Sequence, residues 1–510
     1  MGENGVKVKL LLGEYWWGGA VMDGIYMPYG DKNFKRELNP NKTFNQAVPF
    51  LVSNKGRYIW SDDPFDFRIE EGFLYIENCE GEIIKEEGFD SLKEAYKAAQ
   101  NKHFPPSGKL PEELLFTAPQ YNTWIELMYD QREDKILEYA QSIIDNGFPP
   151  GILMVDDNWQ EDYGVWKFHA ERFKNPKGMI NKLHDLGFKV MLWVCPFVSP
   201  DSATFRDLAK KDFFIKDGNG EIAIREWWNG FSAVLDFTNE EVCKYFYGQL
   251  KSLVDEYGVD GFKFDAGDPV YYSKDDNCHV PSHPNVHCEK YGLFGLEFKL
   301  NEFRACWKNG GQPLVQRLSD KAHSWGYDGL ATLIPNGLAQ GLMGYSFVCP
   351  DMIGGGEYQS FLASSNNLDE ELFVRYAQCS ALFPMMQFSA APWRVLSKKY
   401  SVYCLQAALL HKKMGLEILE IAKRSAITGE PIIRPMAYEF PEGNYENIHD
   451  QFMLGENILV APVLKKGMTK RKVIFPKGKW QDGDGDIIEG PKMEMVDAPI
   501  NKLPWFRKID

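Results

Sequence analysis

Three times between residues 130 and 265 one local pattern recurs: an amphipathic helical stretch, a glycine, then a short apolar run. Asp130 to Asn146 carries Ile136, Tyr139, Ile143 and Ile144 on one stripe, and Gly147 stops it before the run 151–156. Met179 to Leu186 stops at Gly187 and leads into 189–194. A helix opened by Thr238 and Glu241 as a capping box runs to Tyr257, stops at Gly258 and leads into 259–265. Strands linked through helices pair in parallel and are covered by those helices. Further strand candidates at 314–317, 345–348 and 385–388 continue the alternation. No Gly-rich dinucleotide fingerprint follows any of these strands. That many βα units over residues 111–425 predict an α/β protein whose centre is a (β/α)8 TIM barrel rather than an open doubly wound sheet.

The ends of the chain read differently. Residues 1–110 hold short runs such as 7–12 and 73–76 separated by Gly, Asn and Asp, which predicts an N-terminal β-sandwich. The stretch 101–108 reads as its linker. After a last helix at about 401–424, runs such as 457–463 and 472–476 predict a C-terminal β domain of sandwich type over residues 426–510. A net charge of -15 over 510 residues argues against nucleic acid or a membrane surface as partner and favours a neutral small molecule. There is no transmembrane run, and the apolar stretch at the start is too short for a secretory signal, so the expected location is cytoplasmic. Nine scattered Cys suit reduced thiols rather than a disulfide framework. A homo-oligomer is compatible with the sequence and not required by it.

Barrel geometry collects side chains from the strand ends at one rim. Those residues are Trp124 and Glu126, then Asp156, Asp157 and Trp159, then Trp193, then Trp227, Trp228 and Asp236, then Lys263, Asp265 and Asp268. Arg317 with Asp320, Trp325 with Asp328, and Asp351 complete the set. In the run 259–268 the two-residue period places Lys263 and Asp265 opposite Phe262 and Phe264. A strand-end carboxylate beside an ammonium is either an ordinary ion pair or a nucleophile kept ionised. Carboxylates ringed by Trp, without a metal-ligand or Ser-His-Asp pattern, suit glycoside chemistry, in which one carboxylate attacks the anomeric carbon and another protonates the leaving oxygen.

Four segments resemble glycoside hydrolase family 31, the retaining α-glycosidases. Phe262-Lys263-Phe264-Asp265-Ala266-Gly267-Asp268 is similar to the family's nucleophile strand, and Trp325-Gly326-Tyr327-Asp328 to its acid/base motif. Cys349-Pro350-Asp351-Met352-Ile353-Gly354-Gly355 resembles its Asp-Ile-Gly-Gly segment. Residues 428–435, 450–455 and 460–463 resemble the region after the barrel. The resemblance implies Asp265 as nucleophile and Asp328 as general acid and then base, about 5–7 Å apart. It implies sugar contacts at Trp124, Asp156, Asp157, Trp193, Trp228, Lys263, Arg317, Trp325 and Asp351, with no cofactor and no metal. Two departures, Asp-Ala-Gly-Asp at the nucleophile and no His in 385–394, resemble the α-galactosidase-like branch that includes the myogenesis-regulating glycosidase. The implied substrate is a terminal α-linked hexoside, an α-galactoside before an α-glucoside, α-xyloside or α-N-acetylgalactosaminide.

Two rival readings stay open at this level. Lys263 at a strand end could form a Schiff base in an aldolase-type barrel. Cys278, His279, His283, His287 and Cys288 crowd one loop and could hold zinc, although their spacing matches no standard finger.

Overall fold

The computed structural model describes residues 5–30 and 32–509. The first four residues of the predicted sandwich, Asp31 and the last residue of the predicted C-terminal domain lie outside the described residues. Eight parallel strands form the central sheet. They are β1 (Gln120–Asn122), β2 (Ile152–Val155), β3 (Lys189–Val194) and β4 (Gly261–Phe264). β5 (Leu300–Phe303), β6 (Gln316–Arg317), β7 (Val348–Cys349) and β8 (Gln387–Phe388) follow. Their order is β7-β6-β5-β4-β3-β2-β1-β8. The Ile353 N–H just past β7 donates to the Gln387 carbonyl at 2.9 Å, so the two edges meet and the barrel all but closes.

The three predicted helices are present as Glu133–Asp145, Pro176–Asp185 and Glu240–Tyr257. Gly258 caps the third with φ +83°, a left-handed conformation that disfavours a β-carbon. The predicted capping box at its start is corrected. Asn239 is the N-cap and accepts from the Glu241 N–H at 2.9 Å, while the Thr238 hydroxyl donates to Asp236 at 2.6 Å. Asx side chains reach the backbone donor two residues on more directly than a Thr one position earlier can.

Alternation along β4 works as expected. Phe262 and Phe264 pack outward on Phe298 at 4.8 and 6.2 Å between ring centroids, while Lys263 turns into the barrel. Strand β5 has no counterpart in the sequence reading, because its Asn and Glu hide the apolar pattern. Glu302 is buried inside the barrel level with Lys263 and accepts from Gln387 of β8 across the lumen at 2.8 Å. A polar interior layer of this kind needs every group paired, and pairing replaces hydrophobicity as its signature.

N-terminal to the barrel lie two sheets, one of four strands and one built on Gln46–Ser53. Trp16, Trp17 and Trp60 are buried within this unit. The second sheet includes Cys306–Trp307, a barrel segment that pairs in parallel with Gln46 and Ala47. One continuous apolar cluster therefore runs through the N-terminal sheets and the barrel. The predicted linker is corrected too. Residues 101–103 end a helix, Leu92–His103, and the Gly108 N–H is bonded to the Ala426 carbonyl at 2.9 Å. Its Pro-Pro-Ser-Gly half ends the helix without freeing the chain. The last helix spans Lys398–Thr428, and the tail forms a six-stranded antiparallel sheet with its own core around Met453, Phe475, Trp480 and Phe506. A single six-stranded sheet thus stands where a sandwich was expected, and Met436 of the short helix Met436–Glu439 belongs to its core. Among the described residues no helix is long and apolar enough to cross a membrane.

Candidate active site

At the C-terminal ends of the strands lies a cavity of about 340 Å³. Asp265, the residue after β4, reaches it on a turn in which Ala266 and Gly267 both take positive φ, +55° and +78°. A non-glycine residue in this region is strained, and such strain collects at functional positions. The turn aims the carboxylate inward and lets the Ala266 N–H donate back to its Oδ1 at 2.9 Å. The Trp193 indole N–H donates to Oδ2 at 2.6 Å. Burial pushes the Asp265 carboxyl up, but Lys263, Arg304, the Trp193 bond and Arg317 together outweigh it and hold it below the usual carboxylate range. Asp265 is thus an ionised, buried carboxylate facing an open space.

Register explains its neighbours. Trp193 pairs with Lys263 across β3 and β4, and Lys263 with Glu302 across β5, so the three share one layer. The Lys263 ammonium bonds Asp156 at 2.8 Å. Burial disfavours its charge, yet Asp156 and Asp265 more than compensate and raise its pKa. Asp157, next to Asp156, accepts from Gln160 at 3.0 Å, Tyr163 at 3.0 Å and Asn229 at 2.7 Å. Burial lifts Asp157 to about 6 against these bonds, with the Asp156 charge adding to the rise.

Arg304, absent from the sequence-derived set, stands opposite. Its Nε bonds Asp268 at 3.1 Å and lies 3.9 Å from Asp265, and its guanidinium sits 4.9 Å over the Trp228 ring. It follows β5, so missing that strand hid it. The signal available was Asp268, whose complete burial requires a partner. Tyr129 and Met352 also line the cavity, with Glu357, Tyr358 and Gln359 from the start of a short helix, Tyr358–Ser364.

A second carboxylate reaches the same space, and it is Asp320. Arg317 donates through Nη1 to Asp320 at 2.7 Å and to Asp351 at 2.8 Å. Burial raises the Asp320 carboxyl, but Arg317, Arg304 and Lys263 outweigh it and leave it lowered in the empty cavity. Asp351 is raised to about 6, chiefly by burial and against the pull of Arg317. The Asp320 side chain keeps about a third of its surface accessible, whereas Asp351 has none. Two carboxylates on one guanidinium titrate as a pair.

Seven of the sequence-derived contacts line the cavity: Trp124, Asp156, Asp157, Trp193, Trp228, Lys263 and Arg317. Asp351 is corrected to a buried support beneath it, accepting from the N–H groups of Lys321 at 2.7 Å and Gly356 at 2.8 Å. Asp328 and Trp325 are corrected further, since neither lines the cavity. Asp328 is exposed and accepts from the Ser324 hydroxyl at 2.6 Å. Trp325 donates its indole N–H to Asp369 at 3.0 Å. Their loop leaves the barrel mouth after Asp320, so proximity in sequence to the motif did not translate into proximity to Asp265.

The Cys/His loop does not converge either. His283 caps the helix Pro284–Gly295 and bonds Asn39, His287 stacks on Tyr272, and Cys278 faces the Val280 carbonyl. Among the described residues no group of three or more His, Cys, Asp or Glu is placed to hold a metal ion.

A (β/α)8 barrel whose mouth holds an ionised carboxylate, a further carboxylate on an arginine and tryptophan walls is an arrangement that suits glycoside chemistry. Residues 117–403 match the glycosyl hydrolases family 31 TIM-barrel domain, and residues 429–510 match the glycosyl hydrolase family 31 C-terminal domain. The chain therefore belongs to glycoside hydrolase family 31. The myogenesis-regulating glycosidase of Mus musculus is 34% identical over 414 residues, covering 80% of this chain and 58% of that protein. Alpha-glucosidase 2 of Bacillus thermoamyloliquefaciens is 27% identical over 411 residues, 74% of this chain and 51% of that protein. The chain spans 58% and 51% of the length of these two curated relatives. A Flavobacterium johnsoniae dextranase complexed with glucose has the same fold, with a TM-score of 0.86 over 100% of this chain and 67% of that one at 21% identity.

Proposed function

We propose that the chain is a retaining α-glycosidase that hydrolyses terminal α-galactosides by double displacement, with Asp265 as nucleophile and Asp320 as acid and base. The observation that carries this reading is that, of the carboxylates lining one cavity, Asp265 is ionised under four cationic or hydrogen-bonding influences and Asp320 keeps about a third of its side chain accessible. Asp156 is engaged by Lys263, Asp157 by Gln160, Tyr163 and Asn229, and Glu357 by a helix N-terminus. In the first step an Asp265 oxygen attacks the anomeric carbon, the bond to the aglycone oxygen breaks, and that oxygen takes the Asp320 proton. In the second, Asp320 removes a proton from water as its oxygen attacks the same carbon, and the ester bond to Asp265 breaks. Asp320 must be protonated when the sugar arrives. Entry of substrate removes water from its accessible third, which favours the neutral form. What favours Asp320 over Asp328 is access, because Asp328 lies on a loop outside the cavity.

Galactose differs from glucose in its axial 4-hydroxyl, and a buried donor or acceptor left unpaired is costly enough to select between them. The α-galactoside reading rests on the departures at the nucleophile turn and after β8. There the Ser389 hydroxyl accepts from the Ile125 N–H at 2.7 Å, and Glu126 occupies Arg394 at 2.7 Å, so no β8 side chain enters the cavity. The relative named α-glucosidase favours an α-glucoside as the second reading. A panel of nitrophenyl α-galactoside, glucoside, xyloside and N-acetylgalactosaminide separates them. The galactoside should be cleaved fastest, and a preferred glucoside would overturn the specificity while leaving the two carboxylate roles standing. Asp265→Asn should lower kcat at least about a thousandfold with an unchanged melting curve. An aldolase reading is disfavoured because Lys263 is held charged by Asp156.

A further inference from the structure

The Trp325-Gly326-Tyr327-Asp328 loop is left without a part in the cavity chemistry, yet it lines a larger one. Between this loop, Ile25 and the C-terminal sheet lies a cavity of about 660 Å³. Tyr327 contributes a ring that is 81% exposed, an unusual position for a large aromatic side chain. Trp325 beside it is half-buried and fixed. Its indole N–H is bonded to Asp369, whose same oxygen accepts from Lys466 at 2.8 Å. The ring is thereby anchored on both sides of the junction between barrel and C-terminal domain. Around the two rings stand Asn447, His449 and Asp450, which offer both donors and acceptors, with Lys465, Lys470, Arg471 and Lys472, of which Arg471 pairs with Asp450 at 2.9 Å.

Aromatic faces beside mixed donors and acceptors suit a pyranose, which presents an apolar face of C–H groups and a rim of hydroxyls. The cations can donate to hydroxyls as well as to anions, so it is the two rings that favour a pyranose over a bare phosphate. We infer that this cavity is a second, non-catalytic carbohydrate site that binds a hexose chain through Trp325 and Tyr327. The inference uses the glycan chemistry of the proposed function but none of its steps.

The test is affinity electrophoresis of the full chain through gels containing galactomannan or dextran, with Asp265→Asn used to prevent turnover. The Asp265→Asn protein should be retarded by at least one polymer, and adding Tyr327→Ala should abolish most of that retardation. In the otherwise unaltered enzyme Tyr327→Ala should leave kcat/KM on the preferred nitrophenyl glycoside within twofold. Retardation by neither polymer would overturn the site. So would retardation that survives Tyr327→Ala and disappears with Trp228→Ala, because binding would then lie in the catalytic cavity. Failure of every nitrophenyl glycoside would strike the proposed function alone, since retardation is read without turnover.

Discussion

Two carboxylates sharing one arginine set the pH behaviour that this site should show. Asp265 is held below the usual range, so it stays ionised into acid solution and does not limit the rate near neutrality. On the proposed mechanism the proton needed by the leaving group is held by the Asp320–Asp351 pair, whose more basic member is pushed up to about 6 by burial. A pair that must carry a proton loses activity as pH rises through that value, so kcat/KM should fall above about pH 6. Asp351→Asn should shift this alkaline limb, and a profile flat to pH 8 would exclude the pair as proton source. The two candidates for the acid are told apart by leaving group. Asp320→Ala should slow glycosides with poor leaving groups by about 10²–10⁴-fold and spare those with activated nitrophenols. Asp328→Ala should change neither by more than about twofold, because an exposed carboxylate outside the cavity contributes only surface electrostatics.

Among the elements, the hairpin of Ile224–Trp227 and Gly230–Val234 is the one that carries a sugar wall without belonging to the barrel. Its turn residue Asn229 donates to Asp157 at 2.7 Å and to the Tyr163 hydroxyl at 2.8 Å, and accepts from Tyr129 at 3.2 Å. Farther along, Arg225 pairs with the buried Asp276. Trp228 is 44% exposed and so depends on these ties for its position. Asn229→Ala should raise KM roughly three- to tenfold with a smaller effect on kcat, the signature of lost positioning rather than lost chemistry. An unchanged KM would mean that Trp227, Tyr271 and Arg304 hold Trp228 without help from Asn229. The hairpin also shows what sequence reading can and cannot reach. Trp228 was visible as a residue near a strand end, but Asn229 was not, because nothing in an Asn marks it as tied to an Asp 72 positions away. Strands β2, β3 and β4 were legible through their apolar runs and glycine stops. Strand β5 was not, since Glu302 pairs across the lumen, and Arg304 was lost with it. Asp265 was legible from its strand. The choice between Asp320 and Asp328 was not, because both follow β6 and only the course of the loop separates them.

For the molecule as a whole, the N-terminal unit is part of the catalytic architecture and not an appendage. The Asn45 N–H donates to Asp268 at 2.7 Å, and Asp268 in turn holds Arg304 beside Asp265. The neighbouring Gln46 side chain donates to the backbone carbonyls of Arg304 at 2.7 Å and Arg317 at 2.8 Å, one from each arginine that faces a catalytic carboxylate. Gln46 is fully buried and its carbonyl oxygen accepts from Gln340 at 2.9 Å. Gln46→Ala therefore removes the Gln46 donor from the Arg317 carbonyl and the acceptor from the Gln340 amide, each costing about 1–3 kcal/mol, and leaves the Arg304 carbonyl with Asn45 as its side-chain donor. Arg304 follows β5 and Arg317 ends β6, so loosening them together should reduce kcat as well as stability. Gln46→Glu keeps the side-chain volume but turns donors into acceptors facing two carbonyl oxygens, and should be at least as damaging. Melting temperature and kcat measured together on both variants, against a wild-type control, read the two effects. If stability falls while kcat is unchanged, the N-terminal sheets hold the barrel without shaping its active site. If both fall, and Glu is no better than Ala, the cavity is assembled jointly by the first sheets and the barrel.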